Sequence, residues 1–268
     1  MKESNEVLLD TLPECEHGVA LLRQMEADAN LMRMSKPKEI AHASEVEFLL
    51  APRFGLQQEK PDGSCKIRPV DNFSWSRSGG RCKKRRKLDS VNGEFHNERT
   101  IRHDNIHALG TCMRAFWTIV SVVPSLFKID VDSAYRRIPV RPADWWATGI
   151  ACKVDSSIFV AQHFTAPFGA ASSNIGWEQV GDLIAKIVRV ILRIGILRYV
   201  DDYFAPERAE TMQHAAECVT RLVRALMGSS AIAQRKVEWG LRLIVLGIHA
   251  IPSERGFTFR PSADKVEK

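Results

Sequence analysis

Two adjacent aspartates, Asp201 and Asp202, interrupt the apolar stretch Ile196-Leu197-Arg198-Tyr199-Val200-Asp201-Asp202-Tyr203-Phe204-Ala205. Aspartate is a poor strand residue, whereas both flanks favour strand. The pattern therefore predicts a hairpin with the two aspartates at or near its turn. Two negative charges side by side at a hairpin tip read either as an ordinary polar turn or as a site for a hard cation such as Mg²⁺, which takes carboxylate oxygens. A second stretch, Phe127-Lys128-Ile129-Asp130-Val131-Asp132-Ser133-Ala134-Tyr135, begins as an apolar strand and places Asp130 where that strand should end. Asp130 and Asp201 are 71 residues apart, which leaves room for intervening strands and helices. Two such strand ends side by side would form a carboxylate cluster able to hold two divalent ions. Two ions about 3.5–4 Å apart suit in-line phosphoryl transfer.

The elements that must position these groups belong to a chain of 268 residues, one large domain or two small ones. A hydrophobic share of 45% is enough for a real core. The net charge is +6 and is unevenly spread. Between Lys60 and Arg102, twelve Lys/Arg face five Asp/Glu, a net of +7, so the remainder is close to balanced. A basic segment on a balanced chain suggests a polyanionic partner. Its densest part is Arg81-Cys82-Lys83-Lys84-Arg85-Arg86-Lys87, six cations in seven positions. That run reads as a nucleic-acid patch, a nuclear-localisation signal or a solvated loop. The six cysteines form no Cys-x-x-Cys pair and do not cluster with histidine, so they read as reduced thiols. The N-terminus has no signal-peptide core. The most apolar run, Leu183 to Leu197, contains Lys186, Arg189 and Arg193 and is unsuited to crossing a membrane. The expectation is an intracellular protein, cytoplasmic or nuclear and not secreted, with no membrane partner.

Along the chain, residues 1–50 predict a helical N-terminal extension, interrupted at Pro13, Gly18 and Pro37, with Met25, Met32 and Met34 as core candidates. Pro61-Asp62-Gly63 predicts a turn. In the following strand Lys66 and Arg68 share one face, as a solvated surface or as a grip for phosphates. Residues 77–107 are polar and basic, and 101–123 return to helical spacing. Trp145 and Trp146 read as core in preference to base-stacking platforms. Phe164 to Asn174 opens a helix predicted to run to about Leu197, and Arg208–Met227 is a plain amphipathic helix. Lys236, in Gln234-Arg235-Lys236-Val237-Glu238-Trp239, is a surface lysine or a proton donor to a leaving group.

These segments resemble, in order, the motifs of reverse transcriptases over roughly residues 52–268. Tyr199-Val200-Asp201-Asp202 matches the Tyr-x-Asp-Asp box. Ile129-Asp130-Val131-Asp132-Ser133-Ala134-Tyr135 matches the first palm motif, and Pro167-Phe168-Gly169-Ala170 the Pro-x-Gly segment. Asp71-Asn72-Phe73-Ser74-x-Ser76 is similar to the fingers of tyrosine-recombinase-type retroelements. Ile244-Val245-Leu246-Gly247-Ile248-His249 resembles the Leu-Gly hairpin that supports a primer end.

The resemblance implies an α+β right-hand polymerase. Residues 51–268 would form fingers and palm, with an antiparallel palm sheet carrying helices on one face and the thumb largely absent. It implies that Asp130, Asp201 and Asp202 are catalytic and bind two Mg²⁺ ions, with Mn²⁺ as the alternative. Lys66 and Arg68 would hold the triphosphate, although the choice among Lys60, Lys66 and Arg68 stays open. Tyr135 would lie under the sugar and select deoxynucleotides, unless it is a core tyrosine. Phe168 and Gly169 would line the nucleotide pocket, with Lys236 near the pyrophosphate. Lys83, Lys84, Arg85, Arg86 and Lys87 would contact nucleic acid. The expected activity is RNA-directed DNA polymerisation from dNTPs on a primed template. The alternatives are an inactive retroelement fragment that binds nucleic acid and, less favoured, an RNA-dependent RNA polymerase.

Overall fold

Residues 1–59, 63–77, 90–96, 100–254 and 256–262 are described by the computed structural model. The basic positions Lys83, Lys84, Arg85, Arg86 and Lys87 lie outside them. The chain is a mixed α+β protein that divides into two compact units, and neither is continuous in sequence. The first comprises Met1–Arg99 and Tyr135–Gly176, the second Thr100–Ala134 and Trp177–Lys268.

The first unit opens with helices α1 (Lys2–Thr11) and α2 (Gly18–Asn30). Its strands are β1 (Lys38–Ile40), β2 (Leu50–Glu59), β3 (Cys65–Asp71), β5 (Gly149–Val154) and β6 (Ser157–Gln162). They form one sheet in the order β1-β6-β5-β2-β3, antiparallel except where β2 meets β5. Strand β5 is buried almost throughout, and its Ile150, Cys152 and Val154 pack with Met25, Met34, Ala51 and Phe73. Two of the three expected core methionines are thus buried, while Met32 sits exposed with φ 55° at the turn after α2. Trp146 also departs from expectation, being 48% exposed. Its neighbour Trp145 packs on Phe164 and donates its indole N–H to the Val140 carbonyl.

The second unit holds α3 (Ile106–Val120) and β4 (Ser125–Asp130). The hairpin strands β7 (Leu197–Tyr199) and β8 (Asp202–Glu207) follow, then α5 (Met212–Met227) and β9 (Val237–Gly240). Helix α4 (Ala171–Ile187) contributes residues to both units. It stops ten residues short of the predicted Leu197: a π-helical turn over Val188–Leu192 follows, and Arg193 ends it in the left-handed conformation. Strands β7-β8-β4-β9 make a wholly antiparallel sheet with β4 in the interior. Leu126 and Phe204 from this sheet share a core with Leu109 and Met113 of α3. In β4, Phe127 and Ile129 are buried on one face, while on the other buried Leu126 gives way to half-buried Lys128 and Asp130, so that face passes from core to polar groups toward the strand end.

A further three-stranded sheet, β10 (Leu243–Val245), β11 (Ile248–Ser253) and β12 (Gly256–Pro261), belongs to the second unit. Its first hairpin turns on Leu246 and Gly247, both at positive φ, as the two-residue turn that matches strand twist requires. Among the described residues no helix is long and apolar enough to cross a membrane.

Candidate active site

Asp130 is the last residue of β4, and its cross-strand partner is Asp202, the first residue of β8. Directly paired strand residues project from the same face, so the two carboxylates are neighbours there, an arrangement that is destabilising for like charges. Asp201 occupies the two-residue turn, Val200-Asp201, that closes β7 on β8. Its carbonyl accepts a hydrogen bond from the Val131 amide at 3.0 Å, tying the turn to the residue after Asp130.

The electrostatics record this crowding. Burial raises the Asp202 pKa, and the Asp201 and Asp130 charges raise it further, to about 6, against opposition from Lys128 and Lys236. Asp201 is also shifted upward, by burial and by Asp130. Lys236, at the end of a short 3₁₀ turn before β9, is the nearest compensation. Its Nζ lies 2.7 Å from Asp130 Oδ1 and 3.4 Å from Asp132 Oδ1. Asp132 therefore serves as a second partner of Lys236, and it also accepts from the Ser133 hydroxyl.

The donor set has the chemistry of a hard-cation site: oxygen ligands, partial burial and unneutralised negative charge. As the side chains stand, no three His, Cys, Asp or Glu groups among the described residues converge closely enough to hold an ion. The lysine sits on Asp130 instead.

The turn itself is strained. Val200 has φ 52°, a left-handed conformation that costs a β-branched residue about 1–3 kcal/mol. Its carbonyl receives two hydrogen bonds, from Trp177 Nε1 at 2.8 Å and from an Arg198 Nη1 at 2.7 Å. Both side chains are buried. The Arg198 guanidinium is also paired with Glu178 at 2.6 Å and Asp182 at 2.8 Å. Gly181 leaves the room for it, since a Cβ there would come within 2.8 Å of Arg198 Nη1. Sequence reasoning passed over Trp177 and Arg198, because nothing in the local pattern separates them from ordinary core and surface positions.

The remaining candidates belong to the first unit. Lys66 and Arg68 are exposed on one face of β3, and Arg68 bonds Gln58 on the paired strand β2. Tyr135 is half-buried and meets Phe168 edge-to-face, with ring centroids 5.1 Å apart. Phe168 is 47% exposed. Gly169 has φ 93°, and a Cβ there would lie 2.0 Å from the Asp71 carbonyl oxygen, so only glycine fits.

Beneath these residues lies a buried network absent from the sequence reading. Arg53 grips Asp71 with two hydrogen bonds, at 2.6 and 3.0 Å. Asp71 meets His163 Nε2 at 3.1 Å. His163 Nδ1 meets Arg136 Nη1 at 2.6 Å, and Arg136 pairs with Asp28 at 3.1 Å. Since arginine only donates, His163 Nδ1 must accept, which fixes the neutral tautomer with its proton on Nε2 facing Asp71. Burial pushes the His163 pKa down to about 4 despite Asp71. Burial works to raise the Asp71 pKa, but Arg53 and His163 outweigh it and hold the carboxyl well below the ordinary range.

Comparison with solved structures places this architecture. The foamy viral protease–reverse transcriptase in complex with double-stranded DNA matches 95% of the chain at 14% identity, with a TM-score of 0.61. Two further structures of the prototype foamy virus protease–reverse transcriptase match 92% and 90% of it, at 16% and 14% identity and TM-scores of 0.58 and 0.55. The fold is reverse-transcriptase-like. The chain spans 37%, 28% and 27% of those three structures, respectively. No family model matches the sequence, and no curated protein matches it.

Proposed function

We propose that this chain is an RNA-directed DNA polymerase domain that adds deoxynucleotides to a primer 3′ end. The observation that supports it best is the pairing of Asp130 with Asp202 across β4 and β8, with Asp201 in the adjoining turn, in a reverse-transcriptase-like fold. Asp130, Asp201 and Asp202 would hold two Mg²⁺ ions, or Mn²⁺. Bound there, such ions supply Lewis acidity toward phosphate oxygens and acidify a primer hydroxyl. Asp130 and Asp201 carry more of this role than Asp202. Lys236 gives up its contact with Asp130 and serves the leaving pyrophosphate as a proton donor or charge stabiliser. In the first unit, Lys66 and Arg68 take triphosphate oxygens, and Phe168 and Gly169 line the nucleotide pocket. The Tyr135 ring packs where a ribose 2′-hydroxyl would otherwise lie. Lys83, Lys84, Arg85, Arg86 and Lys87 contribute phosphate contacts, so binding weakens steeply with salt. The partners on this reading are a primed template and dNTPs.

A second reading, a retroelement fragment that binds nucleic acid without catalysis, is favoured by the lysine already seated on Asp130. Primer extension on a primed RNA template separates the two. The polymerase reading expects extension with dNTPs in Mg²⁺, little with rNTPs, and a loss of at least about a thousandfold in Asp201→Ala with its circular dichroism unchanged. If neither protein extends while both bind the primed template, the second reading replaces the first. Efficient use of rNTPs would move the assignment to an RNA polymerase.

A further inference from the structure

The hairpin turn at Val200-Asp201 is held from inside the second unit by two groups outside the aspartate motif. Val200 is a β-branched residue at φ 52°, a conformation it does not adopt unaided. Its carbonyl is met by the Trp177 indole N–H from α4 and by the Arg198 guanidinium from β7. Neither donor is free to leave. Trp177 is 1% exposed and Arg198 2%.

Arg198 is anchored on both sides. Its side chain is fixed by Glu178 and Asp182 of α4. Its backbone is fixed by Asp104, which accepts from the Arg198 amide at 2.9 Å and donates its own amide to the Arg198 carbonyl at 3.0 Å. The helix is fitted to it as well. Gly181 has no side chain where the guanidinium lies, and its carbonyl accepts from the Tyr203 hydroxyl at 3.0 Å. Helix α4 thus meets the hairpin at three side chains, its own Trp177, Arg198 of β7 and Tyr203 of β8, and the first two bond the turn. The residue that follows the clamped carbonyl is Asp201.

We propose that Trp177 and Arg198 are positioning residues: their two hydrogen bonds to the Val200 carbonyl hold the turn in its left-handed form and thereby set Asp201 beside Asp130. This rests on the polymerase reading for its kinetic consequence, though not for its structural one. Neither residue touches substrate. Both act through the backbone of the turn.

Trp177→Phe is the sharpest variant, because it deletes the indole N–H and keeps an aromatic ring in the same space. Arg198→Met is the harsher one and strands Glu178. Two readouts are made on the full chain. The first is amide hydrogen exchange. In Trp177→Phe, exchange over residues 199–202 and at the Val131 amide, which bonds the Asp201 carbonyl, should rise about tenfold, the loss of one net hydrogen bond. The β10–β12 sheet should be unchanged. The second is steady-state primer extension, where kcat should fall about tenfold with the KM for dNTP unmoved.

Val200→Gly supplies the rescue. Glycine adopts this φ without strain, so in that background the effect of Trp177→Phe should shrink to about twofold or less on both readouts. A merely structural tryptophan would lower the thermal midpoint and speed exchange throughout the unit, to the same extent with valine or glycine at 200. That result would overturn the proposal, as would unchanged exchange at Val131 in Trp177→Phe. If the wild-type chain does not extend primers, the polymerase reading falls, and the exchange experiment still decides whether the clamp exists.

Discussion

The two units each contain a cluster of charged groups, and the clusters are opposites. In the first unit, Arg53, Asp71, His163, Arg136 and Asp28 form a largely buried chain in which each carboxylate meets an arginine and neutral His163 joins the two pairs. Asp71 is held ionised and His163 neutral. In the second unit, Asp130, Asp132, Asp201 and Asp202 lie close together, Lys236 touches only the first two, Lys128 opposes the rise at Asp202, and two of the carboxyls are still pushed upward. A closed network spends its electrostatics on holding structure. An unbalanced one leaves negative charge that the protein does not neutralise, and perturbed groups of that kind are candidates for a functional site. The difference lies in the number of counter-charges supplied per carboxylate, since both clusters draw on the same residue types.

Breaking the closed cluster should have the largest effect. Asp71→Asn leaves Arg53 buried at 5% exposure without the carboxylate it contacts. We expect a loss of about 3–5 kcal/mol in stability, read as a fall in the urea midpoint. A change below 1 kcal/mol would show that Arg53 finds another partner.

The pH dependence is the next test. His163 takes up its proton below about 6.5 in the unfolded chain and only below about 4 in the folded one. Acid therefore favours unfolding across that window. The contribution is fully present above 6.5 and is lost as pH falls to 4, amounting to about 3 kcal/mol. His163→Gln should flatten the pH–stability curve between those values, and an unaltered slope would mean that His163 is charged in the fold.

The open cluster should respond with the opposite sign and the smallest size. The Asp202 pKa is raised from 3.8 to about 6, so its favourable protonated state is lost as pH rises through 6. In a metal-free buffer at neutral pH, Asp202→Asn should therefore stabilise the protein. Partial exposure screens the gain to about 1 kcal/mol. The gain should vanish near pH 4, where neither side chain is charged. A destabilising Asp202→Asn would sink the comparison.

Much of the second cluster was legible from spacing alone. An apolar run ending in Asp130 and two apolar runs meeting at Asp201-Asp202 are local patterns, and strands and tight turns obey local rules. The same holds for Lys66 and Arg68, whose alternation fixes a shared face. The closed cluster was not legible, because its members find their partners far along the chain. Asp71 finds Arg53 across 18 positions and His163 across 92. Periodicity tells which residues are buried together; it does not tell which polar atoms answer one another. Trp146 was misjudged for a related reason, since an aromatic pair in a short 3₁₀ segment, Pro142–Ala147, has no periodic face to declare. The end of α4 was overrun because Val188–Leu192 keeps an apolar composition while its backbone widens to a π-turn.

The interior place of β4 bears on the order of synthesis. Both of its neighbours, β8 and β9, are later in the chain, and the whole of Tyr135–Gly176, which completes the first unit, is made before either. The strand that ends in Asp130 is therefore translated into a state with two open edges and must wait about 70 residues for its first partner. Such pairings are slow, and exposed edges aggregate. During translation the first unit can fold to completion while the strand beside the future carboxylate cluster is still unpaired, so nascent-chain quality control has its longest opportunity at the segment on which the proposed chemistry depends.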